Sequence, residues 1–275
     1  MHYDVKEIIV NAQWQGGGDT NTYYGANELI DLYLSGHDFR KLFVSLDKDG
    51  AAAKANGIIG FEILRKQIHD AYNLLSKKAP DKVFTLGGGC DADVPSIVYL
   101  NKKYRGDLTV LWMDAHGDLN TPEESSSSLF YGMPLRSVMD ESCFGLLESG
   151  LPLKSTQVIH IGGRDLDEAE QVFIKTSKIQ TYSVKQLQDG METLNREIEQ
   201  SERHHLYVHL DLDVLDPSVF PHTPLPVAAG LYREDSISIL KACKDKLVGI
   251  GIYEYISAGK KLPVIEELMQ FGISL

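Results

Sequence analysis

Cysteine is scarce in this chain: Cys90, Cys143 and Cys243 are the whole complement, odd in number and far apart. That excludes a disulfide framework and suits a reducing, cytoplasmic setting. Positive charge is in deficit too, with 27 Lys and Arg against 39 Asp and Glu, a formal net charge of -12. A protein that coats nucleic acid or an anionic membrane needs the opposite balance, so neither is an expected partner. Nor does the sequence carry an apolar run long enough to span a bilayer, a charged-then-apolar leader, or a repeat at solenoid spacing. What remains is an ordinary globular composition, 43% hydrophobic and 24% charged over 275 residues. That length buries a sizeable core, and no stretch reads as a linker, so one domain over 1–275 is expected.

Apolar runs and helical segments alternate along the chain. "KEIIV", "KLFVSL", "KVFTL", "DLTVLWMDAHGD", "TQVIHIGGRDLD", "HLYVHLDLDVLDP" and "KLVGIGIYEY" read as strands. Between them, Phe61, Leu64, Ile68, Ala71 and Leu75 recur at helical spacing, and "SIVYLNKKY", "VKQLQDGMETLNREIEQ" and "DSISILKACKDK" are helical candidates. This alternation predicts an α/β fold with a mostly parallel sheet. Polar clusters recur at the C-terminal ends of the apolar runs, where such sheets place ligand sites. "NTPEESSSSLFYGMP" is too polar for a core element and reads as a loop over that edge.

Two clusters carry the chemistry. "MDAHGD" supplies Asp114, His116 and Asp118, and "HLDLDVLDP" supplies Asp211 and Asp213, with Asp216 nearby. Residues i and i+2 of an extended strand end project to one side, so each set is expected to face a common centre. Crowded carboxylates at low dielectric are costly unless cations neutralise them, and mixed carboxylate and imidazole donors suit Mn or another first-row ion. The plainer reading makes these acids turn or cap residues, with His116 an ordinary hydrogen-bonded histidine. "TLGGGCDADVP" adds Cys90 after a glycine turn, and the residues alone leave it three roles: buried small side chain, nucleophile, or metal ligand. A nucleophile needs an adjacent base, and no Cys-His pairing is visible.

"DAHGDLNTP" and "DLDVLDPSVFPHTPLP" resemble two signature segments of the ureohydrolase family, which contains arginase, agmatinase and formimidoylglutamase. "LGGGCDAD" is similar to a degraded form of a further signature, usually LGGDHS, and the likeness continues through "HIGGRDLDEAE", "PVAAGLYREDSISIL" and "GIGIYEY". The resemblance implies a three-layer α/β/α sandwich around a mostly parallel sheet, with a pair of Mn ions at strand ends. It implies that Asp114 and Asp211 bridge the ions, that His116 and Asp213 complete one set, and that Asp118 serves the other. The second ion's usual histidine falls on Cys90, so the ion on that side is expected to be the weaker. A thiolate is softer than imidazole and fits Mn less naturally. Family chemistry is hydrolysis of a guanidino or amidino group by water activated between the cations, and Glu254 stands where the family orients the guanidinium.

The resemblance also bears on the substrate. Without a gap, Asn120 and Ser127 match residues that hold the α-carboxylate of arginase's substrate, and Ser125 matches a hydroxyl there. Asp167 and Glu170 match acids near the α-amino group, although alone they read equally well as a helix N-terminus. Arginine or a modified arginine is therefore expected, giving ornithine with urea or hydroxyurea. Agmatinase-like or formimidoylglutamase-like activity, and a non-catalytic binding protein, are the alternatives. Tyr131, in "YGMP", replaces a histidine proton shuttle; a phenol, with a reference pKa of about 10, is a poor neutral-pH shuttle. Leu225 replaces a family threonine. One arginase-like branch with cysteine at the Cys90 position hydrolyses Nω-hydroxy-L-arginine. The family's habit of assembling as trimers or hexamers implies a homo-oligomer.

Overall fold

The apolar runs form the predicted sheet. In the computed structural model, which describes residues 5–47 and 52–275, the strands are β1 (Lys6–Asn11), β2 (Arg40–Lys41), β3 (Lys54–Ala55), β4 (Ile58–Ile59) and β5 (Lys82–Gly87). They continue with β6 (Leu108–Met113), β7 (Val158–Ile161), β8 (Gln180–Tyr182), β9 (His205–Asp211) and β10 (Leu247–Tyr253). An 8-stranded sheet has the order β2-β1-β5-β10-β9-β6-β7-β8, and every pairing in it is parallel. β3 and β4 make a separate antiparallel pair. Both faces of the large sheet are covered, which is why its central strands read as near-continuous apolar runs.

Side chains alternate between two cores. Leu111 and Met113 of β6 and Leu206, Val208 and Leu210 of β9 meet the helices Thr20–Tyr33, Val184–Asp189, Glu192–Gln200, Arg233–Cys243 and Pro263–Ile273. On the other face, Val110, Trp112, Tyr207 and Tyr253 pack with the helices Phe61–Lys78, Val94–Lys103 and Pro134–Met139. The result is a three-layer α/β/α sandwich. All five residues of the predicted helical stripe, Phe61, Leu64, Ile68, Ala71 and Leu75, are buried; each large member contributes roughly 1.5–3 kcal/mol. That helix carries Glu62 in its first turn and Lys77 and Lys78 in its last, which complement its dipole. On β10 the alternate residues Gly249 and Gly251 leave room for aromatic rings. A Cβ at Gly249 would lie 2.4 Å from the Tyr207 ring, and one at Gly251 would lie 2.1 Å from the Tyr253 hydroxyl.

The secondary structure departs from the sequence reading in three places. "KLFVSL" is not a full strand: only Arg40–Lys41 pairs with β1, and Phe43 is exposed. Val44 does bury, but against Trp14 in a small cluster apart from the two main cores, and the run leaves the sheet to reach it. "VKQLQDGMETLNREIEQ" is two helices, divided at Gly190, whose φ of 157° is open to glycine. The helix Pro263–Ile273 and the short β8 were not anticipated, whereas Glu168–Ser177 realises the helix N-terminus that Asp167 and Glu170 offered. Among the described residues no helix is long and apolar enough to cross a membrane.

Candidate metal centre and substrate cleft

The neighbouring strands β5, β10, β9 and β6 end at the same edge of the sheet. Their C-terminal extensions bring together the acids singled out in the sequence. Cys90 begins a 3-10 helix, Cys90–Asp93, beyond β5. Asp114, His116 and Asp118 follow β6, Asp211 closes β9, Asp213 lies in the 3-10 helix Leu212–Val214, and Glu254 follows β10. The convergence does not come from strand alternation, as the i, i+2 reading supposed. β6 ends at Met113, and the acids beyond it are turned inward by irregular backbone. Asp118 and Glu254 even adopt left-handed φ values of 56° and 60°, a conformation that costs about 1–3 kcal/mol and collects at functional sites.

Backbone amides fix one half of the centre. Asp114 Oδ1 accepts from His116 N at 2.7 Å, Asp213 Oδ1 from Ala115 N at 3.0 Å, and Asp211 Oδ1 from Asp213 N at 2.7 Å. His116 Nδ1 lies 2.8 Å from Asp213 Oδ2. The other half rests on side chains. The Cys90 thiol donates to Asp211 Oδ2 at 2.8 Å and stands 3.9 Å from Asp114 Oδ2. The buried Asp118 Oδ2 has no hydrogen-bond partner.

Electrostatics show what this crowding needs. Burial, reinforced by Asp213 and Glu254, raises the Asp211 carboxyl well above its ordinary range. Burial, then Asp213 and Asp114, do the same to Glu254; burial and Asp114 do it to Asp118. The Cys90 thiol is also pushed up, first by burial and then by Asp211. Burial would lower His116, but hydrogen bonds to Asp114 and Asp213 and their charges outweigh it and hold the ring up at about 12. Without added positive charge the centre therefore keeps protons on groups that would otherwise be anionic. Divalent cations fit it. Ligand atoms of Asp114, His116 and Asp213 lie within 4.8 Å of one another, as do those of Cys90, Asp211 and Glu254.

From His116 and Asp118 the centre opens into a cleft of about 540 Å³. Asn120, Ser125, Ser127, Tyr131, Asp167 and Glu170 all line it, as does Leu225. Every substrate-side residue expected from the sequence is thus on one wall system. Their contacts are more specific than expected. Asn120 Nδ2 donates to Asp167 Oδ2 at 2.7 Å, and Ser125 and Ser127 hydroxyls lie 3.4 Å apart. Asp167 is also the N-cap of Glu168–Ser177, accepting from Glu170 N at 2.9 Å while Glu170 Oε2 accepts from Asp167 N at 3.0 Å. The capping reading of these acids is therefore realised alongside their place in the cleft. Glu170 Oε1 accepts from Leu119 N at 3.3 Å, so this carboxylate braces the Asp114–Leu119 loop. Burial lifts it to about 7. Asp216 is not in the centre; it holds the turn through Ser218 and Gly230. A groove of about 630 Å³ at the opposite edge of the sheet contains none of the acidic cluster.

Two neighbours of the centre were not singled out from the sequence. His209 and Asp93 are both fully buried, and His209 Nδ1 lies 2.7 Å from Asp93 Oδ2. His209 precedes Asp211 by two residues within β9, so the same-face rule, which does hold for this one pair, could have pointed to it. Asp93 lies one turn beyond Cys90.

Fold and centre together define an α/β/α protein with an acid, thiol and imidazole cluster at the C-terminal strand ends. A profile described as the arginase family matches residues 34–258, and the chain belongs to that family. It is 33% identical over 223 residues to an arginase of Staphylococcus aureus (strain MSSA476), covering 76% of this chain and 71% of that one. The structure of Entamoeba histolytica arginase in complex with L-ornithine superposes with a TM-score of 0.78 at 20% identity, covering 100% of this chain and 98% of the other. Formimidoylglutamase from Bacillus subtilis superposes with a TM-score of 0.71 at 16% identity, over 100% and 86%. These structural likenesses establish the fold. Within it, Cys90 stands where the family carries a histidine metal ligand.

Proposed function

We propose that this chain is a manganese-dependent amidinohydrolase that cleaves the guanidino group of an arginine-like amino acid with water. Arginine gives ornithine and urea; Nω-hydroxyarginine gives ornithine and hydroxyurea. The observation that carries the reading is the shared cleft: the acidic centre and the amino-acid-end residues Asn120, Ser125, Ser127 and Asp167 face one space. An amine lacking the α-carboxylate and α-amino group would forgo the charge-assisted contacts these groups offer, a loss that discriminates between substrates.

In this reading Asp114 and Asp211 would be shared by the two ions, His116 and Asp213 would hold one of them, and Asp118 and Cys90 would hold the other. Cations held there supply a lowered pKa for bound water and offset the negative charge that develops on the attacked group. Glu254 orients the guanidinium with a buried carboxylate. Its backbone N–H is tied to Gly88 O at 2.8 Å, which fixes it against the Cys90 turn. Asn120 and the serine hydroxyls receive the α-carboxylate, and Asp167 the α-ammonium. Tyr131 stands at the cleft with its backbone N–H on Gly16 O at 3.1 Å. A phenol is a weak proton donor to a departing amine near neutral pH. The departing ornithine amine is the same for both substrates, but an electron-withdrawing N-hydroxy group on the terminal nitrogen makes the guanidino carbon easier for water to attack, so hydroxyarginine is the better substrate.

The test is mass analysis of products from arginine, Nω-hydroxyarginine, agmatine and formimidoylglutamate with the Mn-loaded protein. Highest kcat/KM for hydroxyarginine, followed by arginine, is expected. Preference for agmatine or formimidoylglutamate, or no hydrolysis of any of them, overturns the reading.

A further inference from the structure

The Cys90 half of the centre contains a histidine after all, on a different strand. His209 is fully buried between two aromatic rings: Trp112 lies 3.5 Å away with planes 5° apart, and Tyr253 lies 4.7 Å away at 11°. Its Nδ1 is engaged by Asp93 Oδ2 at 2.7 Å. Asp93 is in turn held by the Tyr207 hydroxyl on its other oxygen. With Nδ1 engaged by Asp93, Nε2 is the ring atom left to meet a cation. That atom has no hydrogen-bond partner, and it faces Asp114 Oδ2 at 3.9 Å.

The ligand atoms of Cys90, Asp114, Asp118 and His209 lie within 4.8 Å of one another. Bond lengths of about 2.0–2.3 Å for imidazole, carboxylate and thiolate put opposite ligands of one ion roughly 4–4.6 Å apart. The cluster is therefore on the scale of a single cation, with small adjustment. A carboxylate on the far nitrogen is also the usual means of fixing the tautomer and orientation of a ligating histidine.

We propose that His209, oriented by Asp93, is the imidazole ligand of the ion on the Cys90 side, in place of the histidine that Cys90 displaces. This deepens the reading of the centre given above and rests on it for the presence of two ions. With the shared Asp211, the resulting set has one sulfur, one nitrogen and three carboxylate donors. It is softer than the set formed by Asp114, His116 and Asp213, and it favours Co²⁺ or Zn²⁺ over Mn²⁺ relative to its neighbour. The centre is consequently a pair of unlike sites.

The probe is Co²⁺ added to the chelated full chain, with Mn²⁺ as the comparison. Two Co²⁺ per chain and one thiolate-to-cobalt charge-transfer band are expected. X-ray absorption of the loaded protein should count two imidazoles and one sulfur across the two ions. His209→Phe keeps an aromatic ring in the stack but removes the donor; it should reduce Co²⁺ binding from two ions to one. Asp93→Asn keeps the ring and should weaken the Cys90-side ion roughly 10- to 100-fold. If His209→Phe binds both ions with unchanged affinity, or if absorption counts a single imidazole, His209 is only a buried partner of Asp93 and the proposal is wrong. The absorption measurement on the unaltered protein decides the matter should His209→Phe not fold. A protein with the expected spectrum that hydrolyses no guanidino compound would remove the functional reading and leave the ligand assignment standing.

Discussion

The two halves of the acidic centre are held in different ways. Around His116, backbone N–H groups of the centre's own loops position the carboxylates of Asp114, Asp211 and Asp213. Around Cys90 the donors depend on side chains from separate strands, with Asp93 steadying His209 and the thiol resting on Asp211. A backbone-held ligand is fixed by a short contiguous motif. A ligand held by side chains tolerates replacement of one group by another arriving from elsewhere. The one substitution shown against the family, Cys90 at a histidine ligand position, falls in the half held by side chains.

The largest effect should come from Asp211, which touches both halves. Asp211→Asn is expected to abolish turnover and to weaken metal binding more than about 100-fold, beyond the usual effect of disturbing a ligand's partner. In the metal-free protein the same change should raise the melting temperature, because it removes a carboxyl whose ionisation burial opposes. Metal analysis beside thermal unfolding measures both; full occupancy would remove Asp211 from the centre.

Cation addition comes next. At a free concentration about 100 times Kd, one site adds about 2.7 kcal/mol. At about 2–4 °C per kcal/mol for a chain of this size, the melting temperature should rise by roughly 5–10 °C. Unlike halves should give two phases in a calorimetric titration, and a single phase would erase the contrast between them.

Asp167 extends the comparison to the cleft wall. Asn serves as an N-cap about as well as Asp, so Asp167→Asn should leave stability within a few tenths of a kcal/mol yet remove the charge. Its kcat/KM for hydroxyarginine should fall roughly 10- to 100-fold, the loss of a hydrogen bond to a charged group, while agmatine turnover is unchanged. Equal losses for both substrates would refute a role at the α-amino end.

A smaller effect is expected from pH in the chelated protein. Burial raises Asp91 to about 7 in spite of a hydrogen bond from Gln13, and raises Glu170 to about 7. Both start from lower unfolded values, so the folded state binds the extra protons. Their contribution is present below about pH 4 and is lost as pH rises toward about 7. His116, held up at about 12, extends the decline above the ordinary histidine range. Urea midpoints that rise across pH 4–7 in chelator would contradict this. Smallest of all, Asp216→Ala should leave metal content and turnover unaltered, since Asp216 serves only a surface turn.

The sequence was most legible where one element supplies its own information. The stripe Phe61 to Leu75 and the buried strands were readable because their burial follows a fixed period. So were Asp114, His116, Asp118, Asp211 and Asp213, which sit in two short motifs, although irregular backbone rather than strand alternation turns them inward. "KLFVSL" misled because an apolar run does not reveal which cluster it will bury against. The pairing of His209 with Asp93 joins positions 116 residues apart, and nothing local to either states that they meet. Asp167 illustrates an intermediate case: both its readings, cap and cleft residue, hold at once.

The packing around His209 also limits how this centre can be transplanted. Trp112, Tyr253, Asp93 and the glycines Gly249 and Gly251, over which the Tyr207 and Tyr253 rings lie, form one unit of change. An engineer who moved the imidazole alone into another scaffold would bury a ring N–H without an acceptor, a penalty of about 1–3 kcal/mol, and would overfill a strand that lacks the glycines. The cassette travels whole or loses its grip on the ion.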